Sequence, residues 1–213
     1  MDRIVYELQR SKRRSVTIRV AGGKVFVKAP YYVALDKIEE FIFLHEKWIR
    51  SKLALEAKTD SEYSDIQNYE NILVEGLRKK VLIGQGMQEE DVWCFKDFSA
   101  LRKFMEKEYG KFLIQRSKYF SEQISVCPAG ISLRDFKACW GNCDKNGKIK
   151  LNWRLVMLPE SLQDYVLVHE LCHILHLNHS SAFWNEVGKI LPDYKQRRKK
   201  LKGYSFLTLL YRN

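Results

Sequence analysis

The sequence predicts an α+β protein, and three observations carry that expectation. Short runs with two-residue alternation recur in both halves, at 3–9, 15–20, 72–77, 80–83, 92–95, 131–136 and 149–155. Gly22-Gly23 joins the run 16–20 to a further one at 25–28 as a hairpin turn, because glycine reaches positive φ without strain. Longer stretches, 34–56, 99–124 and one opening at Pro159-Glu160, space their apolar residues at helical period.

In the N-terminal half, the basic turn 10–14 separates the first two strands and Pro30 closes the meander, giving an antiparallel β-rich lobe. The following helix lines up Ile38, Phe41, Ile42, His45, Trp48, Ile49 and Leu53, which makes His45 a core or boundary histidine. Residues 57–68 are polar and read as a linker, and 84–91 as a loop. Ser99 is placed to cap a helix carrying Leu101, Phe104, Met105, Tyr109, Phe112, Leu113, Arg116 and Phe120 on one stripe. This pattern divides the chain into a β-rich lobe with one helix, 1–97, and a second domain with packing helices and a basic C-terminal helix, 98–213.

The 213 residues suffice for one substantial core or two small lobes, and 46% hydrophobic content is that of an ordinary globular chain. No charged leader precedes an apolar stretch, and no apolar run is long enough to span a bilayer, so a cytoplasmic protein without a membrane partner is expected. Five irregularly spaced cysteines fit reduced thiols; Cys139 and Cys143 lack the second close pair a structural zinc site needs. The net charge of +11 is clustered, at Arg10, Lys12, Arg13 and Arg14, and at Lys195, Arg197, Arg198, Lys199, Lys200 and Lys202. The second cluster is a candidate polyanion-binding surface, against the plainer reading of a solvated face.

The chemistry concentrates in His169-Glu170-Leu171-Cys172-His173. Histidines four apart share a helix face, about 6 Å along the axis, so both imidazoles reach one ion. The intervening carboxylate then stands beside the metal's open position as a general base. Leu162, Tyr165, Val166, Val168, Leu171, Cys172 and Leu175 make the helix apolar on most sides and therefore buried. Burying an unpaired carboxylate is costly, and a bound dication removes that cost. For a third ligand, His176 lies ~10.5 Å along a continuous helix from His169 and would crowd His173. His179 follows Asn178, a residue suited to a left-handed helix end, and is favoured over Glu186 on the next helix. Three imidazoles with an open fourth position suit Zn2+, one ion per chain.

Several further motifs share the order of a known family: Trp140-Gly141-Asn142-Cys143, Leu151-Asn152-Trp153-Arg154-Leu155, Asp164-Tyr165-Val166, Asn178-His179-Ser180 and Phe183-Trp184. With the His-Glu-x-x-His run they resemble the YgjP-like metallopeptidase family, related to the SprT-like and WLM zinc proteases. The resemblance is close over 131–200 and looser before. It implies a zincin-like catalytic domain, zinc on His169, His173 and His179, and Glu170 as base. Cys139 and Asn142 depart from it, where the family usually has arginine and serine.

The expected function is peptide-bond hydrolysis by a zinc-activated water. Tyr165, Asn152 and Arg154 are candidates for a second oxyanion donor or substrate contact, and strand 149–155 for an edge that pairs with an extended peptide. The partner expected is a peptide or protein substrate. The alternatives are hydrolysis of a nucleotide phosphoanhydride, and proteolysis of nucleic-acid-bound proteins.

Overall fold

The computed structural model describes residues 3–84 and 90–212, so most of the loop expected at 84–91 lies outside the described residues. Helices and three small three-stranded sheets make the protein α+β. It divides into two compact units, Met1–Ser64 and Asp65–Asn213.

The first unit is built on β1 (Glu7–Ser11), β2 (Thr17–Ala21) and β3 (Lys24–Pro30), in the order β1-β3-β2. The Gly22-Gly23 hairpin forms as expected, with φ of 58° and 69°. The sheet is not wholly antiparallel, however, because β1 runs parallel to β3, with Glu7 opposite Phe26. The reason lies in β3, whose Val25, Val27 and Ala29 are buried, so it takes the central position and is paired on both edges. Arg10 anchors the parallel strand by donating from Nη1 to the carbonyls of Pro30 (3.0 Å), Tyr31 (3.2 Å) and Val33 (2.7 Å).

The expected single helix is two, α1 (Leu35–Leu44) and α2 (Glu46–Gln67). His45 stands at the break with φ −105° and ψ 6°, and its Nδ1 lies 2.7 Å from the Phe41 carbonyl oxygen. It is exposed rather than part of the core, since the polar ring is satisfied by a carbonyl freed at the helix end. Ile38, Ile42 and Ile49 do turn inward. Residues 57–67 are helical, not a linker; only Tyr63, with φ −128°, leaves helical geometry, next to the unit boundary.

In the second unit β4 (Asn71–Val74) and β5 (Leu77–Ile83) form a tight hairpin whose corner residues Glu75 and Gly76 both have positive φ, 51° and 83°. The Glu75 and Gly76 amides donate to the Val156 and Met157 carbonyls at 2.9 and 3.0 Å. The hairpin and β6 (Trp93–Phe95), parallel to β5, thus belong to the unit beginning at Asp65, whereas composition had grouped them with 1–97. Burial of Ile72, Leu73 and Val74 explains the difference.

The helix expected over 99–124 divides at Tyr109 into α3 (Phe98–Glu108) and α4 (Gly110–Ile124). Asp97, not Ser99, caps α3, accepting the Ala100 N–H at 2.7 Å. A third sheet follows: β7 (Gly130–Arg134), β8 (Gly141–Cys143) and β9 (Lys148–Asn152), ordered β7-β9-β8. The expected turn over 140–147 therefore contains a strand. The turn itself is short, with the Asp144 carboxylate accepting the N–H groups of Asn146 and Lys148. A 3₁₀ segment, Trp153–Met157, leads into α5 (Glu160–Cys172), followed by α6 (Ser181–Ile190), α7 (Tyr194–Leu201) and the 3₁₀ segment Lys202–Leu209. Everything on α5 from Leu162 to Val168 is buried. Arg116 of α4 forks onto Asp164 and reaches Glu160 at 2.8 Å, fixing α4 against α5. No helix among the described residues is long and apolar enough to cross a membrane.

A Cβ at Gly76 would meet Pro159 Cγ at 2.8 Å, at a φ unfavourable to any other residue. Gly76→Ala is expected to lower stability by about 2 kcal/mol, read as an earlier urea midpoint at unchanged slope.

Candidate metal centre

His169 and Glu170 sit on the last turn of α5, and His173 is its C-cap, with φ −67°. The helix does not continue to His176. Its end tightens, with the Ile174 and Leu175 amides bonding to the Leu171 and Cys172 carbonyls. His176 therefore contributes its backbone: its carbonyl oxygen lies 3.0 Å from His173 Nδ1. With Nδ1 donating there, Nε2 is the nitrogen of His173 left to ligate.

The chain reverses through Asn178-His179-Ser180 by side-chain hydrogen bonds rather than a left-handed residue. The Asn178 side chain accepts the Ser180 N–H at 3.2 Å, and Ser180 caps α6 by accepting the Phe183 N–H at 3.4 Å. That turn brings His179 back over α5. One nitrogen each of His169, His173 and His179 lies within 4.8 Å of the others, and the facing Nε2 atoms of His169 and His179 are 3.1 Å apart. Ligands ~2.0–2.1 Å from a tetrahedral zinc are separated by about 3.3 Å, so the three nitrogens fit one ion. Glu186 is outside the cluster and pairs with Lys189 at 2.7 Å.

Two aromatic residues that the sequence reading left without a role hold these rings. Phe183, fully buried, stacks on His173 at 4.6 Å and meets His169 and His179 edge-on at 5.0 and 4.9 Å. Trp184 stacks on His179 at 5.5 Å and on Tyr194 at 5.3 Å. The signal in the sequence is an aromatic pair one turn beyond the last of the three histidines, at the start of an amphipathic helix. Burial, then the neighbouring histidines, pull the His169 pKa down to about 3, so its ring is neutral, as ligation requires.

Burial raises the Glu170 carboxyl to about 8. It lies against the backbone of β8: a Cβ at Gly141 would fall 2.7 Å from both Glu170 Cγ and Oε1. The lack of a side chain at Gly141 makes room for the carboxylate.

The candidate donors separate clearly. Asn152 is wholly buried, and its amide donates to the Phe136 and Cys139 carbonyls, both at 3.0 Å. Arg154, also wholly buried, donates to Asp135 at 2.6 Å and to the Leu210 carbonyl at 2.8 Å, with its guanidinium over the Trp153 ring. Both brace the chain and neither is open to a substrate; a charge so deep must spend its donors on internal acceptors. Tyr165 alone of the three adjoins the centre, with its ring 5.8 Å from His169. Burial pushes its hydroxyl up to about 12, so it keeps its proton at neutral pH. Strand β9 has both edges paired, so the expected peptide edge is not there; β7 and β8 are the edge strands, and β8 is the one that carries Gly141.

The basic cluster is also divided. Arg197 is committed to Asp193 at 2.8 Å and to the Ser161 carbonyl at 2.8 Å. Arg198 lies over Trp184 at 4.8 Å, near enough to the centre to depress the pKa of His169 and His179. Lys195 lies 6.0 Å from the Tyr194 ring centre, and Lys199, Lys200 and Lys202 are exposed.

Three converging imidazoles beside a buried carboxylate define a candidate mononuclear metal centre. The family model described as YgjP-like, metallopeptidase domain matches residues 14–204, and the chain belongs to that family of metal-dependent peptidases. The crystal structure of the metallopeptidase zymogen of Pyrococcus abyssi abylysin is similar at 26% identity over 47% of this chain and 97% of that chain, with a TM-score of 0.40. No curated protein matches.

The carboxyl shift has a sign that can be measured without metal. Glu170 titrates near 8 when folded and near 4.5 when unfolded, so the unfolded chain loses its proton first and stability falls as pH rises between those values. His169, held near 3 against 6.5, acts below pH 6.5, where stability falls as pH decreases. Between pH 6.5 and 8 the Glu170 effect is the one of the two still acting. In chelator-treated protein the melting temperature of Glu170→Gln should gain on wild type across that window; a constant gap would contradict the burial effect.

Proposed function

We propose that the protein is a zinc-dependent peptidase with a zincin-like catalytic unit, in which His169, His173 and His179 hold one zinc ion and Glu170 is the general base. The convergence of the three imidazole nitrogens beside the buried Glu170 carboxylate carries this reading. Family membership supports the peptidase class.

Zinc held at these nitrogens supplies a Lewis acid that acidifies water and polarises a scissile carbonyl. The residues around it divide the remaining work. Glu170, fixed between its helix and Gly141, takes the proton of the attacking water and passes it to the leaving amine. Its low-dielectric surroundings raise its affinity for that proton. Tyr165, protonated at neutral pH, donates a hydrogen bond to the oxyanion as charge develops. The free edge of β8 pairs with an extended stretch of substrate, which brings a peptide carbonyl beside Glu170 because Gly141 belongs to that strand. Phe183 and Trp184 hold the ligand rings in place, which limits the reorganisation needed during turnover.

Arg198 favours a second reading. A guanidinium stacked on Trp184 next to the histidines suits an anionic substrate, as in hydrolysis of a nucleotide phosphoanhydride. Parallel assays on unfolded protein and on nucleoside triphosphates separate the two.

Glu170→Gln should retain one equivalent of zinc by metal analysis and lose turnover about 10³-fold; near-normal turnover would end the assignment of the base. Gly141→Ala should keep zinc but melt below wild type, because the new methyl meets the buried Glu170 side chain from Cγ outward. Its kcat should fall about 100-fold, since the displaced group is the carboxylate.

A further inference from the structure

The basic residues of the first unit do not form a plain solvated face. Ser11, Lys12, Arg13, Arg14, Pro30, Tyr31 and Tyr32 line one open cleft of about 370 Å³. No acidic side chain is among them. Tyr31 and Tyr32 are 66% and 77% exposed, far beyond what aromatic residues of a packed turn require. The loops that form the cleft are held rather than loose. Arg10 donates to three carbonyls of the segment carrying the tyrosines, and the Tyr32 hydroxyl donates to the Arg14 carbonyl at 3.4 Å. Arg13 Nε is shielded from solvent and has no hydrogen-bond partner among the described residues.

We propose that this cleft binds single-stranded nucleic acid, with Lys12, Arg13 and Arg14 on the phosphates and Tyr31 and Tyr32 as platforms for unstacked bases. Cations alone would attract any polyanion. The exposed aromatic pair beside them distinguishes this site, because an unpaired base has a π-face to offer and a duplex does not. The site lies wholly in the N-terminal unit and is independent of the peptidase reading, as it uses no residue of the metal centre.

The test is fluorescence anisotropy on the full-length, zinc-loaded protein. The probes are labelled oligothymidylate and oligouridylate of about 16 nucleotides, a DNA duplex of equal length, and unlabelled heparin as competitor. The proposal expects single strands, of DNA, RNA or both, to bind more tightly than the duplex. A logarithmic salt slope of about −2 is expected from three phosphate contacts. Tyr31→Ala and Tyr32→Ala should each weaken binding about tenfold, while Tyr31→Phe and Tyr32→Phe retain it. If the alanine forms melt early, Tyr31→Leu and Tyr32→Leu keep apolar bulk without the aromatic face and should lose affinity as the alanine forms do. Arg13→Gln should weaken binding and flatten the slope, and Lys199→Gln/Lys200→Gln/Lys202→Gln should leave the single-strand affinity near wild type. Three results would overturn the proposal: equal affinity for duplex and single strand, an unchanged affinity in the folded leucine variants, or a loss confined to the Lys199, Lys200 and Lys202 variant.

Discussion

The cost of placing ionisable groups inside an apolar helix governs the second unit. Helix α5 is buried around most of its circumference, yet it carries His169 and Glu170 on its last buried turn. Left alone, the carboxyl resists ionisation and the imidazole resists protonation, both because burial disfavours charge. Such groups reduce stability unless something of opposite character is bound beside them. A dication on the three histidines is the partner that suits both, since it takes neutral imidazoles and favours the carboxylate. The same burial that weakens the fold thus brings the proton exchange of this carboxyl toward neutral pH.

What surrounds this centre can be understood as support for that arrangement. Edge strand β8 comes close enough to α5 that only a glycine fits against the Glu170 carboxylate. The tight end of α5 supplies a carbonyl that sets the tautomer of His173, and Phe183 with Trp184 closes the rings from the other side. Arg154 and Arg116 are deeper struts: one ties the 3₁₀ segment before α5 to Asp135 and to the last residues of the chain, the other ties α4 to α5. Their charge serves position, which is why a guanidinium fork rather than a point charge recurs there.

Arginine and lysine have three distinct uses in this strongly basic chain. Some are consumed internally, as at Arg10, Arg116, Arg154 and Arg197. Arg198 faces the metal centre across Trp184. Others, including Lys12, Lys199, Lys200 and Lys202, are exposed. Net charge by itself could not tell these apart, since it is a property of composition and says nothing about which acceptor each cation meets.

Local chemistry was enough to determine several features from sequence alone. The Gly22-Gly23 hairpin and the buried character of α5 follow from backbone freedom and apolar periodicity, and ligand reach favours His179, whose nitrogen converges with those of His169 and His173, over His176. The grounds for that last choice were incomplete, because the helix ends before His176 and the return turn is made by Asn178 and Ser180 side chains. Only the tertiary structure decided that β1 is parallel to β3, that residues 57–67 are helical, and that Asn152 and Arg154 are buried braces. It alone brought Gly141 against Glu170 and the Phe183-Trp184 pair against the histidines. The reason is one of range: hydrogen-bond patterns within a turn or a helix are written in neighbouring residues. Strand order, burial and the approach of one backbone to a distant carboxylate depend on packing between segments far apart in the chain.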